Sequence, residues 1–259
     1  MRLVIDLQGA QTESRFRGIG RYSMSLAQGM VRNAGDHDVW IAVNGTFPEG
    51  IEEIRAGFEG LLPASRIRVI DTLPGVTWTD PRNAWRRRAS ELMWEAGIAA
   101  LQPDIVHVSS LFEGAQGGAV TSIGRFPGLA PAAMTLYDLI PLLNPEKYLG
   151  SDWGRAWYFD KLEMLKCSPL LLSISAHARE EALQALQIEP DRIVNMSSAI
   201  SPHFRQLPIG PAERAMLHQR FGVRDGYIMY SGAMEPRKNA ERLLQAFALL
   251  GDALLAGHQ

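Results

Sequence analysis

Short apolar runs of strand length alternate along most of this chain with longer segments of helical periodicity. The runs lie at residues 3–7, 39–43, 67–70, 104–108, 132–137, 170–174 and 192–196, and helical patterns occupy 20–31, 84–101, 152–165 and 176–186. Val, Ile and Leu occupy consecutive positions in the runs, as in strands that are buried on both faces. The alternation predicts βαβ units, and therefore an α/β fold with a Rossmann-like parallel sheet and helices on both faces.

The composition is that of an ordinary folded protein with a substantial core. The chain has 259 residues, of which 46% are apolar and 21% charged, and its net charge of -2 gives no electrostatic reason to expect nucleic-acid binding. One cysteine excludes an intrachain disulfide and favours a reducing compartment. The first apolar run is interrupted by Asp6 and is too short for a signal peptide or a membrane span. We therefore expect a cytoplasmic protein, with peripheral contact at the inner membrane face left open.

A composition change near residue 206 predicts a domain boundary. Residues 206–211 contain two prolines and one glycine, which is typical of a linker, and a short helical pattern follows at 211–221. We predict a first domain over residues 1–205, a linker with a short helix over 206–222, and the beginning of a second Rossmann-like domain over 223–259.

The second segment begins with a strand-loop-helix pattern over residues 227–250. An apolar run is followed by a tight loop with the adjacent cations Arg237 and Lys238, and then by an amphipathic helix that begins at Asn239. Two cations beside the free N–H groups of a helix N-terminus suit a bound phosphate. The pattern therefore predicts a phosphate site at this loop.

Candidate site residues in the first domain follow the predicted strands, and open parallel sheets bind ligands outside the carboxyl ends of their strands. Gly18 and Gly20 begin the first helix, His107 lies near the end of the fourth strand, and Tyr137 and Asp138 follow the fifth. We expect all five to converge at this edge of the sheet. The third glycine of a dinucleotide fingerprint is missing, which argues against a nucleotide-binding oxidoreductase, and no Cys/His cluster has metal-ligand spacing.

The strings at residues 18–22, 138–145 and 235–239 together resemble the GT-B glycosyltransferases of family four. The resemblance implies a retaining sugar transfer from a nucleotide diphosphate sugar, without a metal and with no cofactor apart from the donor itself. It places the acceptor side in the N-terminal domain and the donor nucleotide in the C-terminal domain. Donor binding would then fall to Gly18, Gly20, Arg237 and Lys238, and the active centre to Asp138, His107 and Tyr137, which stands where most members have a histidine.

The variant around Tyr137 looks similar to bacterial mannosyltransferases of surface polysaccharide and lipopolysaccharide biosynthesis. It implies GDP-mannose or a related donor and a glycan or lipid-linked acceptor. A paired-glutamate motif of the family's donor domain would lie beyond Gln259, so we expect a fragment that is inactive alone. Its second segment would expose apolar side chains and favour homo-oligomers. The alternative is a stand-alone carbohydrate- or nucleotide-binding module without turnover.

Overall fold

A computed structural model describes residues 1–201, 204–224, 226–232 and 238–259. The chain divides into two compact units, Met1–Ser201 and Pro202–Gln259. The first unit contains a parallel sheet with the strand order β3-β2-β1-β4-β5-β6-β7. Its strands are β1 (Arg2–Asp6), β2 (Asp38–Asn44), β3 (Ile67–Ile70), β4 (Ile105–Val108), β5 (Ala132–Leu136), β6 (Leu170–Ser173) and β7 (Ile193–Asn195). The predicted α/β class and all seven strands predicted in the first domain are confirmed.

Helices connect successive strands of this unit, except β4 and β5, whose connection over the described residues 109–131 contains no helix. They are α1 (Gly18–Arg32), α2 (Pro48–Gly57), α3 (Ala84–Ala99), α4 (Ile140–Leu143), α5 (Pro145–Tyr148), α6 (Asp152–Cys167) and α7 (Ala176–Leu186). The N-cap of α7 is Ser175, whose hydroxyl accepts a hydrogen bond from the N–H of Ala178 at 3.0 Å. The sequence pattern did not predict α2, although Pro48 at its first turn is a helix-start signal.

Two hydrophobic cores cover the two faces of the sheet, because successive side chains of a strand point to opposite sides. On β1, Val4 packs in a core with Trp94 of α3 and Leu162 of α6. Its neighbour Ile5 packs in the other core, which contains Ala27 of α1 and residues of α2. Burial on both faces explains why the strands read as uninterrupted apolar runs.

The second unit contains three helices within its described residues. They are α8 (Pro211–Phe221), α9 (Ala240–Ala248) and α10 (Asp252–Gly257). Helix α9 follows Asn239, as predicted, and Asn239 has a left-handed backbone conformation with φ of 55°. Leu243 and Leu244 of α9 are exposed.

The prediction of a strand that begins at Tyr227 is wrong, because the described residues 226–232 are not in a strand. Their backbone pairs locally with Gln259, through Ile228 N–H to Gln259 O at 2.8 Å and Gln259 N–H to Gly226 O at 3.0 Å. A strand needs a row of hydrogen-bonding partners, and two bonds to a single residue do not supply one.

Candidate functional site

A cleft of about 690 Å³ opens at the carboxyl edge of the sheet in the first unit. Its walls are the loops that follow β1 (residues 11–17), β2 (46–49) and β4 (112–117), together with Trp157 of α6. The chain runs outward from β1 to β2 and β3 and then returns to the other side of β1 for β4. The loops after β1 and β4 therefore flank the topological switch point, where open α/β sheets bind their ligands.

Buried amide side chains fasten these three loops to one another. The Gln8 Oε1 atom accepts hydrogen bonds from the Val120 N–H and from Asn44 Nδ2, both at 2.9 Å. Gln11 exchanges two bonds with the backbone of Asn44, at 2.7 and 3.1 Å. Because buried amides that lose a partner are costly, these contacts hold the loop backbones in one arrangement. The cleft therefore stands on a rigid support.

Below this support lies a buried carboxyl group, Asp6, at the end of β1. It accepts a hydrogen bond from Trp94 Nε1 at 3.0 Å and one from the backbone N–H of Gln8 at 3.0 Å. Burial is the dominant effect and raises the pKa of Asp6 to about 7. Asp6 is only 1% exposed and does not line the cleft, so its role is to hold the scaffold.

The carboxylate that does line the cleft is Glu113, in the loop after β4. Its Oε2 atom accepts hydrogen bonds from Thr12 Oγ1 at 2.8 Å and Ser14 Oγ at 3.1 Å, and its Oε1 atom accepts one from Ser110 Oγ at 2.9 Å. Burial raises the pKa of the Glu113 carboxyl above its ordinary value, and the hydroxyl bonds partly oppose this effect. Sequence reasoning missed Glu113, although its place a few residues beyond a strand end is the signal that selected the other candidates.

Two arginines from the loop after β1 line the cleft. Arg15 is paired with Glu49 at 2.9 Å and Glu53 at 3.6 Å, so its charge is largely balanced. Arg17 lines the cleft, is exposed, and forms no ion pair with any described residue. Arg17 is therefore the guanidinium of the cleft that remains open to a hydrogen-bond acceptor of a ligand.

Gly18 and Gly20 both lie in the first turn of α1, as the sequence predicts, but their surroundings differ. Gly18 is exposed with open space around it, and the turn has no side-chain cap. Gly20 is buried, and a Cβ atom there would lie 2.4 Å from the Arg15 Cα and from the Ser14 carbonyl oxygen. The loop before α1 therefore packs on Gly20, whereas Gly18 leaves the helix N-terminus accessible to a ligand.

Tyr137 connects three parts of the fold through its hydroxyl group. Its hydroxyl lies 2.9 Å from Ser23 Oγ and within 3.3 Å of the carbonyl oxygens of Ile19 and Ser109. Burial raises the pKa of Tyr137 above its ordinary value, which weakens it further as a base. The geometry therefore gives Tyr137 a holding function between α1 and the end of β4.

Asp138, the next residue, is exposed, and its Oδ1 atom accepts a hydrogen bond from the N–H of Ile140 at 3.1 Å. This contact closes an Asx turn just before α4. Asp138 does not line the cleft, so its predicted part in turnover stays a prediction.

His107 lies inside the molecule rather than at the cleft. It is 2% exposed, sits within β4, and its Nε2 atom is 2.9 Å from Thr135 Oγ1. Its Nδ1 atom has no hydrogen-bond partner, and burial lowers the pKa of His107 to about 4, so the ring is neutral at pH 7. We expected His107 to converge with the other candidates in a ligand-facing cluster, and the structure does not have this arrangement. The reason is that His107 lies inside β4, one residue before its end, so its side chain points to a covered face of the sheet rather than beyond the strand end.

The predicted donor residues of the second unit are only partly described. Arg237 lies outside the described residues, and Lys238 is exposed directly before Asn239 and α9. Nothing tests their predicted phosphate contact, which stays a prediction.

The described part of the chain contains neither a candidate metal site nor a helix that could span a membrane. Within it, no three His, Cys, Asp or Glu side chains are grouped so that they could hold a metal ion. No helix there combines the length and the apolar character needed to cross a lipid bilayer.

The chain is similar in sequence to mannosyltransferases of Escherichia coli. The serotype-specific mannosyltransferase WbdA of Escherichia coli is 32% identical over 251 residues, which are 96% of this chain and 30% of that protein. O-antigen chain mannosyltransferase B of Escherichia coli is 36% identical over 125 residues, which are 47% of this chain and 32% of that protein. The matched residues thus span about a third of the length of these relatives.

The chain is also similar to a solved structure and to one family profile. The crystal structure of Anabaena HepE in complex with UDP-glucose superposes with a TM-score of 0.59 at 14% identity, covering 100% of this chain and 59% of that one. At this identity the likeness shows the fold, which is that of a GT-B glycosyltransferase. The profile described as Glycosyltransferase Family 4 matches residues 16–202, and this chain belongs to that family.

Proposed function

We propose that this chain provides the acceptor-binding side of a retaining mannosyltransferase. The observation that carries the proposal is the cleft at the switch point of the sheet, whose walls combine the Glu113 carboxylate, the Arg17 guanidinium and the Trp157 ring. Few polar groups beside aromatic surface are the usual lining of a small-molecule site. Membership of glycosyltransferase family 4 supports the reaction class, and the names of the Escherichia coli relatives support mannose as the transferred sugar.

The reaction transfers the sugar of a nucleotide diphosphate sugar, with GDP-mannose as the donor we favour, to a hydroxyl of a glycan or lipid-linked acceptor. The bond between the sugar C1 atom and the diphosphate breaks, a bond from C1 to the acceptor oxygen forms, and the acceptor proton passes to the departing diphosphate. The anomeric configuration is retained because entry and departure use the same face of the sugar. The protein then contributes orientation of the two substrates and stabilisation of charge on the leaving group.

In this proposal the tasks fall to named groups. The N-terminus of α1 at Gly18 supplies N–H groups and a positive dipole end for the donor phosphates, and Lys238 is the proposed cation of the second unit. Neither His107, neutral and buried, nor Tyr137, with its hydroxyl engaged, acts as a base. Asp138 remains the proposed group for orienting a sugar hydroxyl.

A domain exchange tests the proposal. The 251 matching residues of Escherichia coli WbdA are replaced by this chain, and the chimera is assayed with GDP-mannose and a mannose-terminated acceptor, with product mass and anomeric configuration as readouts. We expect retained mannosyl transfer by the chimera, and none by the 259-residue chain alone, because the donor-binding residues of the family belong mainly to the second domain.

A folded chimera without transfer would contradict the proposal, provided that intact WbdA is active beside it. If the same chimera still binds the acceptor sugar, the chain is a carbohydrate-binding module instead. Turnover by the 259-residue chain alone would show that it needs no further donor-binding sequence.

A further inference from the structure

The carboxylate in the cleft, Glu113, is surrounded by hydroxyl groups rather than by cations. Thr12, Ser14 and Ser110 each donate one hydrogen bond to it, at 2.8, 3.1 and 2.9 Å. An ionised carboxylate offers about four lone-pair sites, so one remains for a further donor. The arrangement resembles the way in which a carboxylate binds the hydroxyls of a sugar.

The neighbouring cations are committed to other partners. Arg15 pairs with Glu49 and Glu53, and the buried Lys161 donates to the backbone carbonyl of Thr121. Glu113 itself is only 7% exposed, so the carboxylate has lost most of its water without gaining an ion pair. A buried carboxylate of this kind gains from any hydroxyl that adds a hydrogen bond.

Aromatic surface lies beside the carboxylate. Trp157 Nε1 donates to the backbone carbonyl of Glu113 at 3.3 Å, which ties the indole to the same loop. Phe112 meets Trp157 edge to face, with ring centroids 6.1 Å apart, and both rings line the cleft. The face of a half-buried ring suits the C–H groups of a pyranose, whose hydroxyls then point sideways to polar partners.

The charge of the cleft selects against an anionic ligand. The carboxylates of Glu13, Glu49 and Glu113 line it, and of its two guanidinium groups Arg15 is already paired. We propose that Glu113 binds a hydroxyl of a neutral pyranose, the acceptor sugar of the proposed reaction, while Trp157 supports the sugar ring. This inference rests on the proposed function and adds to it the chemical class of the acceptor and the residue that selects it.

Direct binding tests the inference independently of transfer. Methyl α-D-mannopyranoside is titrated into the 259-residue protein and followed by saturation-transfer NMR, in parallel with the variants Glu113→Gln and Glu13→Gln. Glu13 is the matched control because it is an exposed carboxylate on the same cleft. We expect Glu113→Gln to weaken binding by about tenfold to a hundredfold, as for loss of a hydrogen bond to a charged group, and Glu13→Gln to leave it within twofold.

A second variant and a second ligand keep the result unambiguous. Trp157→Ala is expected to weaken binding by at least tenfold, and mannose 6-phosphate is expected to bind more weakly than the neutral methyl glycoside. Circular dichroism melts identify variants that are folded, and if Glu113→Gln is not, the Trp157 variant and the phosphate comparison decide.

The inference fails if folded Glu113→Gln binds the methyl glycoside as the unaltered protein does, or if the phosphate ester binds more tightly. Binding that depends on Glu113, together with an inactive WbdA chimera, would retain the inference and reject the proposed function. If the chimera transfers mannose, and Glu113→Gln changes neither its binding nor its turnover, the proposed function is retained and the inference is rejected.

Discussion

Gly20 offers a sharp test of how the loop before α1 is packed. A Cβ atom at position 20 would lie 2.4 Å from backbone atoms of Ser14 and Arg15, whereas ordinary contacts are 3.4–4 Å. Backbone cannot rotate away as a side chain can, so Gly20→Ala must displace the turn at residues 13–16. Overpacking of this kind costs about 1–3 kcal/mol, and a displaced Ser14 also weakens its hydrogen bond to Glu113.

Gly29 is the matched control in the same helix. A Cβ atom there meets nothing within 4 Å, so Gly29→Ala should stabilise the protein by about 0.5–1 kcal/mol through helix propensity. All six tryptophans lie in the first unit, and their fluorescence during urea unfolding therefore reports on that unit alone. With a urea dependence of about 2 kcal/mol/M, the Gly20→Ala midpoint should fall by about 0.5–1.5 M and that of Gly29→Ala should rise slightly. Equal midpoints for the two variants would refute the packing argument.

Three further predictions concern individual side chains. Tyr137→Phe removes the hydroxyl that contacts Ser23 and two backbone carbonyls, and thermal unfolding should show a loss of about 0.5–1.5 kcal/mol. The pKa of His107 is about 4 in the folded state and 6.5 in the unfolded state, so the unfolded state binds the extra proton as pH falls. The free energy of unfolding should therefore decrease by about 3 kcal/mol between pH 6.5 and pH 4. Comparing urea midpoints across pH with His107→Gln isolates this effect from Asp6, whose raised pKa acts in the opposite direction. Lys238→Ala in the WbdA chimera should raise the donor KM about tenfold to a hundredfold, and an unchanged donor KM would remove Lys238 from the phosphate site.

The sheet could be predicted from the sequence because burial on both faces leaves a local signature. The predicted run at residues 67–70 coincides with β3, and the helical pattern at 176–186 coincides with α7. The non-strand conformation of the described residues 226–232 could not be predicted by the same rule. An apolar run indicates a strand only where neighbouring strands supply hydrogen bonds, and here the described partner is a single residue, Gln259.

The site was only partly predictable, for a different reason. Position after a strand end identifies the correct edge of the sheet, and it correctly placed Gly18 and Gly20 at the start of α1. It cannot state which way a side chain points, and His107, one residue before the end of β4, points to a covered face of the sheet. It also cannot reveal the contact between Thr12 and Glu113, which are 101 positions apart in the chain.

The geometry of one turn links the two halves of the proposed site. The 3-10 turn at Glu13–Phe16 packs its backbone on Gly20, at the helix end proposed for the donor phosphates. The same turn carries the Ser14 hydroxyl to Glu113, on the wall proposed for the acceptor sugar. Displacement of this turn would therefore alter both sides together, whereas a change at Gly18, which meets no neighbour, would alter only the helix end. Gly20→Ala should consequently reduce binding of the methyl mannoside as well as stability, and Gly18→Ala should leave that binding unchanged.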